Sequence, residues 1–354
     1  MKNIIVTGGA GFIGSNFVRY ILKKNKEVNI INVDKLTYAG NLENLEGLED
    51  NSRYKFKKVD ICNKEEIDKI IKEYDIDTVI NFAAESHVDR SIKDPTEFIN
   101  TNIKGTQILL DETKKAWTIG EDKYKKGVKY IQVSTDEVYG SLELEDKCFE
   151  ETTSLNPHSP YSASKASADM LVKAYYDTYK FPVCITRCSN NYGPYQFPEK
   201  FIPLIINNCL KHEPIPIYGD GSNIRDWLFV EDHCRAIYKV LEKGRIGEVY
   251  NIGGHNERTN MQIVKTIINY LHKEVDNTIN EDLIIYVKDR KGHDKRYGIN
   301  PEKISKELDW LPKTKFEDGI VKTINWYIEN KQWLENVVSG EYENYYKKMY
   351  KCRR

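Results

Sequence analysis

Two pairs of residues have the types and spacing that could do chemistry: Tyr161 with Lys165, and Asp136 with Glu137. Tyr161 and Lys165 are four residues apart, so on a helix they share one face, and a nearby ammonium favours a phenolate that can take the proton of an alcohol. Adjacent carboxyl groups with different pKa values suit the elimination of water, in which one removes a C–H proton and the other protonates the departing hydroxyl. An exposed helical pair and an acidic helix cap are the structural alternatives.

A glycine pattern directly follows the first predicted strand and opens a helix. Its spacing, Gly8, Gly11 and Gly14, lets the backbone approach the pyrophosphate of a dinucleotide, whose charge meets free N–H groups at the helix end. Asp34 ends the second predicted strand, where a carboxylate accepts hydrogen bonds from ribose hydroxyls and repels a 2′-phosphate. This pattern predicts NAD rather than NADP, and the adjacent Lys35 weakens the preference. The nicotinamide charge of that cofactor, together with the Lys165 ammonium, is expected to lower the pKa of Tyr161 toward neutrality. A glycine turn that only packs helix on strand is the alternative.

Other predicted site residues follow later strands. Asp60 and Ile61 come after the third strand, where they could meet the adenine edge, although an aspartate that only caps a loop would look the same. The small Ala83 and Ala84 follow the fourth, where a flat cofactor must pass closely. The segment 134–140, which holds the two carboxyls, ends the fifth strand. Because ligands of such sheets lie at the carboxyl ends of the strands, these carboxyls should project toward cofactor and substrate.

The order of apolar runs predicts an α/β fold with a Rossmann-type, doubly wound parallel sheet. Short β-branched runs alternate with stretches of helical spacing such as 13–22. Asn63 and Asp94 stand where polar side chains cap helix N-termini, and Pro95 suits a first helical position. The predicted strands are 4–7, 28–34, 54–59, 78–82, 130–134 and 183–187.

The pattern changes after Arg187, where proline and glycine become frequent and the elements shorten. This change predicts a smaller α/β C-terminal domain that binds the substrate. We expect an NAD-binding domain over residues 1–187, to which 227–255 returns through a helix at 230–241 and a strand at 249–252. Residues 188–226 and 256–354 form the predicted substrate domain, and the basic, aromatic tail 345–354 is expected to be a solvated face.

Composition narrows the classes of function. The 354 residues carry 53 Lys and Arg against 54 Asp and Glu, a balance that argues against nucleic-acid binding. A mean hydropathy of -0.61 without a long apolar run argues against a membrane span, and the first residues do not resemble an export signal. We therefore expect a cytoplasmic protein with seven reduced cysteines. The spacing of its cysteines and histidines predicts no metal site.

Taken together, these motifs resemble the extended short-chain dehydrogenase/reductase family of NAD-dependent epimerases and dehydratases, over essentially the whole chain. The glycine segment and the Tyr161 pair are shared by sugar-nucleotide epimerases and decarboxylases, whereas the carboxyl pair and the segment 289–294 are more typical of nucleotide-sugar 4,6-dehydratases. Lys291 departs from the family pattern, which usually has proline there. The stretches that carry the resemblance are 7–14, 33–41, 83–89, 134–140, 161–165, 189–194, 197–200 and 289–294.

The resemblance implies conversion of dTDP-glucose to dTDP-4-keto-6-deoxyglucose and water. In this family the product is most commonly used for the synthesis of rhamnose. Tyr161 would take the O4 proton while the C4 hydride passes to NAD, with Thr135 hydrogen-bonded to O4. Glu137 would then remove the C5 proton and Asp136 would protonate the departing C6 hydroxyl, before the hydride returns to C6. The implied homodimer is built on two helices starting near Asp94 and Tyr161.

The resemblance and the motifs together give two sets of predicted contacts. The cofactor set is Gly8, Gly11, Phe12, Ile13, Gly14, Asp34, Lys35, Leu36, Thr37, Asp60, Ile61, Ala83, Ala84, Ser86, Thr101, Ser134, Tyr161, Lys165 and Asn191. The nucleotide-sugar set is His87, Thr135, Asn190, Glu199, Lys200, Pro216, Tyr218, Arg225, Asn260, Arg290 and His293. Forked arginine donors suit a diphosphate, although Arg225 could instead pair with Asp226 or Glu231.

Three alternatives remain open at the level of sequence. A UDP-sugar 4-epimerase would use Asp34, Tyr161 and Lys165, but its reaction does not require the carboxyl pair. A 4,6-dehydratase could act on another nucleotide-glucose, such as UDP-glucose. A non-catalytic NAD-binding sensor would need neither pair of reactive residues.

Overall fold

The computed structural model describes residues 2–338, and a parallel sheet of seven strands lies at its centre. The strands are β1 (Asn3–Thr7), β2 (Asn29–Asp34), β3 (Tyr54–Lys58), β4 (Thr78–Asn81), β5 (Lys129–Thr135), β6 (Val183–Cys188) and β7 (Val249–Ile252). Their order across the sheet is β7, β6, β5, β4, β1, β2, β3. The chain therefore runs outward from β1 in one direction and then in the other, and the predicted Rossmann-type fold class is confirmed.

Helices cover both faces of this sheet and build the second lobe. The α-helices are Phe12–Lys24, Lys64–Glu73, Val88–Lys93, Thr96–Phe98, Thr106–Trp117, Pro160–Tyr179, Phe201–Leu210, Val230–Lys243, Asn260–Glu274, Glu302–Leu308, Phe316–Glu329 and Lys331–Val338. A π-helical segment, Ile99–Gly105, joins two of them, and the 3-10 turns are Leu42–Leu45, Asp136–Tyr139 and Glu281–Leu283. Within residues 2–338 we find no helix that is both long and apolar enough to cross a bilayer.

Each predicted strand is present, with ends that differ by one residue at most. The helix predicted at 13–22 runs from Phe12 to Lys24, and the one predicted at 230–241 extends to Lys243. Asn63 accepts a hydrogen bond from the Glu66 amide and caps its helix as expected. Asp94 accepts one from the Thr96 amide, but Pro95 rather than Asp94 is the N-cap residue there, so the helix begins one residue later than predicted. The tail 345–354, with Cys352, lies outside the described residues.

Alternate residues of β1 pack on opposite faces of the sheet. Ile4 and Val6 contribute to a cluster with Phe17, while Ile5 contributes to a separate cluster with Ile67. All of these side chains are fully buried, as the period of a strand covered on both faces requires. The central strands are therefore packed on both faces, and this packing positions their carboxyl ends.

The second lobe packs beside these carboxyl ends. It contains a three-stranded sheet (Asn190–Tyr192, Ile224–Phe229 and Glu257–Thr259) and a parallel pair (Ile215–Tyr218 with Ile284–Val287). A separate apolar cluster that includes Ile206, Trp227 and Ile267 forms its core. A short hairpin, Thr118–Gly120 with Lys123–Tyr124, projects from the first lobe. The two lobes enclose the cavities described next.

Candidate active site

The glycine turn after β1 is shaped by contacts that leave no room for side chains. Gly8 has a φ of +68°, and a Cβ atom there would lie 2.7 Å from the Cα of Ala83. A Cβ atom on Gly14 would lie 2.3 Å from the Gly8 carbonyl oxygen. Glycine at both positions therefore lets the helix Phe12–Lys24 start directly against the ends of β1 and β4.

The first turn of this helix opens into a cavity of about 290 Å³. No side chain caps its N-terminus at Gly11, so the backbone N–H groups of that turn face the cavity without a side-chain partner. Such a helix end suits the negative charge of a pyrophosphate. Asp34 stands at the far side, where its carboxylate oxygens accept hydrogen bonds from the amides of Ala10 and Leu36 at 3.0 and 2.8 Å. Burial raises the pKa of Asp34.

Lys35, which follows Asp34, is engaged by its neighbours. Its ammonium lies 3.5 Å from the Asp60 carboxylate and 4.0 Å from that of Glu97, and it donates to the Thr101 hydroxyl at 3.2 Å. These contacts compensate the charge that weakened the predicted exclusion of a 2′-phosphate. The cavity wall therefore fits a dinucleotide with free ribose hydroxyls.

The carboxyl pair begins a 3-10 turn, Asp136–Tyr139, at the end of β5. Thr135 is the N-cap: its hydroxyl accepts a hydrogen bond from the Glu137 amide at 3.3 Å and donates one to Asp136 at 3.2 Å. Asp136 is buried and Glu137 half-buried. Burial, and then the charge of Glu137, raise the pKa of Asp136 well above its usual range. Burial also raises the pKa of Glu137, against the lowering effect of Arg225.

Tyr161 and Lys165 share one face of the helix Pro160–Tyr179. A capping box between Ser159 and Ser162 starts this helix, and the Lys165 ammonium donates to the Val133 carbonyl at 2.7 Å. Burial and the Glu137 charge raise the pKa of Tyr161 well above its usual range. The sequence predicted a lowered value from the Lys165 cation together with the nicotinamide charge. Among the protein's own groups, burial and the two carboxyls outweigh the lowering effect of the Thr135 hydroxyl, and Lys165 is bonded to a backbone carbonyl.

A second cavity, of about 190 Å³, adjoins the first and shares Glu137, Glu199 and Lys200 with it. Arg225 and Arg290 line this second cavity. The Arg225 guanidinium donates to the carbonyls of Ile224, Asp294 and Lys295, none of which carries a charge. Arg225 therefore does not need the ion pair with Asp226 or Glu231 that the sequence left open. Its charge makes this cavity suitable for an anion.

Asp89 organises one side of the second cavity. Its carboxylate lies 3.0 Å from Nε of Arg290 and accepts a hydrogen bond from the Tyr218 hydroxyl at 3.2 Å. The Arg290 guanidinium lies 5.0 Å from the centre of the Tyr218 ring. Burial and nearby Lys200 lower the pKa of His87 well below its usual value, so this histidine is neutral.

Glu199 lies where the two cavities meet. It is buried, and the Arg90 guanidinium contacts its carboxylate at 3.4 Å. Arg90 also lies 3.7 Å from the centre of the Tyr38 ring. Lys200 donates to the Ser86 carbonyl at 2.7 Å. Tyr38 from the segment after β2, and Arg90 and Ser86 from the segment after β4, are thereby held against the wall that both cavities share.

The structure places the predicted site residues around these two cavities, with one exception. The side chain of Leu36 packs against the apolar cluster below β1 and lines neither cavity, because its φ of +59° turns the chain away. Predicted residues in the wall of the first cavity are Gly8, Gly11, Phe12, Ile13, Gly14, Asp34, Lys35, Thr37, Asp60, Ile61, Ala83, Ala84, Ser86, Thr101, Ser134, Thr135, Asp136, Glu137, Tyr161, Lys165, Asn190, Asn191, Glu199 and Lys200. Those confined to the second are His87, Pro216, Tyr218, Arg225, Asn260, Arg290 and His293.

Sequence reasoning missed several residues that line the cavities. Asp89 belongs to the stretch 83–89 that carries the family resemblance, but nothing in the local sequence indicates its pairing with Arg290. Gln196, Phe197 and Tyr297 likewise reach the walls only because distant segments meet there. Across residues 2–338 no three His, Cys, Asp or Glu side chains form a group that could hold a metal ion. The six cysteines in that range are free thiols.

Comparisons with known proteins agree with this site. Residues 5–323 match the family model described as GDP-mannose 4,6 dehydratase. The dTDP-glucose 4,6-dehydratase of Neisseria meningitidis serogroup B is 52% identical over 347 residues, which cover 97% of this chain and 98% of that protein. The structure of the Bacillus anthracis dTDP-glucose 4,6-dehydratase in complex with NAD aligns with a TM-score of 0.85 and 51% identity, over 95% of this chain and 100% of that one.

A third relative is the dTDP-glucose 4,6-dehydratase DesIV of Streptomyces venezuelae, solved with NAD and dTDP bound. It has a TM-score of 0.87 and 43% identity, over 95% of this chain and 99% of that chain. The fold and the site define a nucleotide-sugar-modifying short-chain dehydrogenase/reductase, and the chain belongs to the GDP-mannose 4,6 dehydratase family. Within that family it is similar to dTDP-glucose 4,6-dehydratases, so the predicted resemblance is confirmed.

Proposed function

We propose that this chain is an NAD-dependent hydro-lyase that converts dTDP-glucose to dTDP-4-keto-6-deoxyglucose and water. The observation that carries the proposal is the carboxyl pair Asp136 and Glu137, held beside Tyr161 at the end of β5 and facing the cavities. Oxidation of an alcohol needs only the tyrosine, whereas removal of water from the sugar needs an acid and a base as well. The names of the similar proteins support the same reaction.

Bound NAD would supply the acceptor for the C4 hydride of the sugar and, once reduced, the donor of the hydride to C6. The residues that would hold it are those of the first cavity: the uncapped helix end at Gly11 for the pyrophosphate, Asp34 for the adenosine ribose, and Lys165 for the second ribose. The two similar structures solved with NAD support the choice of cofactor.

Tyr161 takes the proton from O4 as C4 is oxidised. Its phenol lies near the Thr135 hydroxyl, which lowers the pKa of Tyr161, whereas burial and the two carboxyls raise it. Thr135 is in position to hydrogen-bond O4 and so to align the alcohol with the phenol. The positive charge of a bound nicotinamide ring would favour deprotonation of Tyr161, because the phenolate would then have an opposite charge at short range.

The carboxyl pair then divides the work of elimination. The pKa of Asp136 is raised more strongly than that of Glu137, because Asp136 is the more deeply buried group and Arg225, Lys200 and Arg290 act on Glu137. Asp136 is therefore the acid that protonates the departing C6 hydroxyl. Glu137 is the base that takes the C5 proton, which the new 4-keto group makes acidic.

The second cavity binds the nucleotide part of the substrate. Arg225, Arg290 and Lys200 bring positive charge to its wall, and the fork of an arginine matches the oxygens of a diphosphate. The preference for thymine over uracil rests on the names of the similar proteins. A UDP-sugar 4-epimerase would use the same tyrosine and cofactor cavity but would leave the carboxyl pair idle.

The test is to incubate the purified protein with dTDP-glucose and, separately, with UDP-glucose, and to measure the mass of the sugar nucleotide. We expect the mass loss of one water from dTDP-glucose, and little or none from UDP-glucose. A stereochemical change at C4 without loss of water would favour the epimerase. An unchanged sugar with tight NAD binding would favour the sensor.

Three finer sequence predictions belong to this proposal: a cytoplasmic location, a product used in deoxysugar synthesis such as that of rhamnose, and a homodimer. The homodimer would use the face formed by the helix Pro160–Tyr179 and the segment that starts at Thr96, on which Ile99 and Met170 are 52% and 64% exposed. Light scattering of the purified protein and of a Met170→Glu variant tests it, with conversion to a monomer as the expected result.

A further inference from the structure

A chain of hydrogen bonds leads from the wall of the second cavity to the protein surface. Tyr297 and Asp294 both line the cavity and are buried. The Tyr297 hydroxyl donates to Oδ2 of Asp294 at 2.5 Å, and Oδ1 of Asp294 lies 2.6 Å from Nδ1 of His158. The His158 side chain is 40% exposed and lines neither cavity. Three side chains therefore connect the buried wall with solvent.

The inner end of this chain lies in the cavity that contains the proposed base. Glu137 lines the same cavity as Tyr297, and after burial its charge is the largest cause that raises the pKa of the Tyr297 phenol. The Arg225 guanidinium lies 4.1 Å from the centre of the Tyr297 ring and holds it in place. The hydroxyl of Tyr297 is thus fixed on Asp294 in the cavity that contains Glu137.

The outer end can exchange protons with water. Nε2 of His158 lies 3.1 Å from the side-chain amide of Asn156, which can present either its nitrogen or its oxygen to the ring. Asn156 therefore accommodates both tautomers of the imidazole. An imidazole can also accept a proton at one ring nitrogen and release one from the other.

We propose that Tyr297, Asp294 and His158 carry the C5 proton from Glu137 to solvent and back. This inference rests on the function proposed above. The Tyr297 oxygen receives a proton from the cavity as its own proton passes to Oδ2 of Asp294. The Asp294 carboxyl, which now carries that proton, rotates about its Cβ–Cγ bond and passes it to the unprotonated Nδ1 of His158, and Nε2 releases its own proton to water. Only O–H and N–H bonds form and break, so Glu137 returns to the carboxylate without any other reactant.

The relay has a consequence that an isotope can report. A base cut off from water would return to C5 the same proton that it removed. A base connected to water would exchange that proton, and the product formed in deuterium oxide would carry deuterium at C5. His158 is the member to replace, because Asp294 and Tyr297 line the cavity and their replacement would also disturb substrate binding.

The experiment converts dTDP-glucose in deuterium oxide and measures deuterium at C5 of the product after a single turnover, by NMR or mass spectrometry. The variants are His158→Gln, which keeps a donor for Asp294 but cannot carry a proton, and His158→Ala with and without added imidazole. The matched control is His212→Gln. His212 is 47% exposed, lies 3.1 Å from the Asp276 carboxylate and lines neither cavity.

We expect deuterium at C5 with the unaltered chain and with His212→Gln, a fall of at least about fivefold with His158→Gln, and recovery when imidazole is added to His158→Ala. Wild-type deuterium content in both His158 variants would overturn the relay, as would protium at C5 with the unaltered chain. A low content that imidazole leaves unchanged would also contradict it. Failure to release any water is a different result, since it rejects the proposed function itself.

Discussion

The hydroxyl of Thr135 donates a hydrogen bond to Oδ1 of Asp136 at 3.2 Å and accepts one from the Glu137 amide at 3.3 Å. One side chain at the end of β5 therefore starts the 3-10 turn and sets the direction of both carboxyls. The turn buries Asp136 and leaves Glu137 on the cavity that contains Arg225. Two neighbours in sequence thus have different surroundings, which is the condition for their use as acid and base.

Replacement of the proposed base is expected to separate oxidation from elimination. In Glu137→Gln the amide cannot take the C5 proton, so water release should fall by at least about 100-fold while oxidation at C4 continues. Reduced cofactor should then accumulate, which its absorbance reports. Glu150→Gln, at an exposed position outside both cavities, is the control. Loss of oxidation and elimination to the same extent would instead show that Glu137 acts in the first step.

Replacement of the proposed acid is expected to change the dependence of stability on pH. Asp136 has a raised pKa in the folded protein, so the unfolded chain releases this proton first and the free energy of unfolding falls as pH rises above about 4. Asp136→Asn removes this term. We expect the variant to have a higher melting temperature than the unaltered chain at neutral pH, and a smaller difference or none at pH of about 3.

The same variant should lose catalysis at the elimination step, because an amide cannot protonate the departing hydroxyl. With the unaltered chain, elimination should decline as pH rises through the raised pKa of Asp136, since the acid is then ionised. Melting curves and single-turnover rates over a pH series measure both effects. Equal melting temperatures of the two proteins throughout the series would refute the raised pKa.

Loss of the Arg290 charge is expected to weaken binding more than chemistry. Arg290→Gln removes a cation from the second cavity and leaves the buried Asp89 without its ion pair, so the KM for dTDP-glucose should rise by about 10- to 100-fold. The kcat should change much less, since no proposed proton transfer uses this side chain. Steady-state kinetics decide, with Arg258→Gln as the control, because Arg258 pairs with the exposed Glu317 instead. A fall in kcat alone would contradict a binding role.

A methyl group on the glycine turn is expected to disrupt the cofactor cavity. The Cβ atom of Gly14→Ala would lie 2.3 Å from the Gly8 carbonyl, so the helix Phe12–Lys24 or the turn must shift, at a cost of about 1 to 3 kcal/mol. NAD affinity, measured by calorimetry, should fall with the melting temperature. Gly120→Ala adds the same group without a close contact and should change neither. Unaltered NAD affinity in Gly14→Ala would show that the turn tolerates the shift.

The sequence alone determined most of the fold and the proposed chemistry. Strands such as β1 can be predicted because their β-branched residues are consecutive in the sequence. Gly8, Gly14 and Asp34 likewise form a recognisable pattern within one β-α-β unit. The spacing of Tyr161 and Lys165 predicted a shared helix face, and both line the first cavity. These features depend on neighbours a few residues apart, so local rules suffice to find them.

Only the tertiary structure decided which distant groups meet and how burial changes them. Asp89 reaches Arg290, and His158 reaches Asp294, across long separations in sequence that no local period encodes. The raised pKa of Tyr161 arises because folding buries the phenol beside two carboxyls, against the direction predicted from Lys165 and the nicotinamide charge. Desolvation and long-range contact are properties of the folded chain, because they depend on what surrounds a group in space rather than on its neighbours in the sequence.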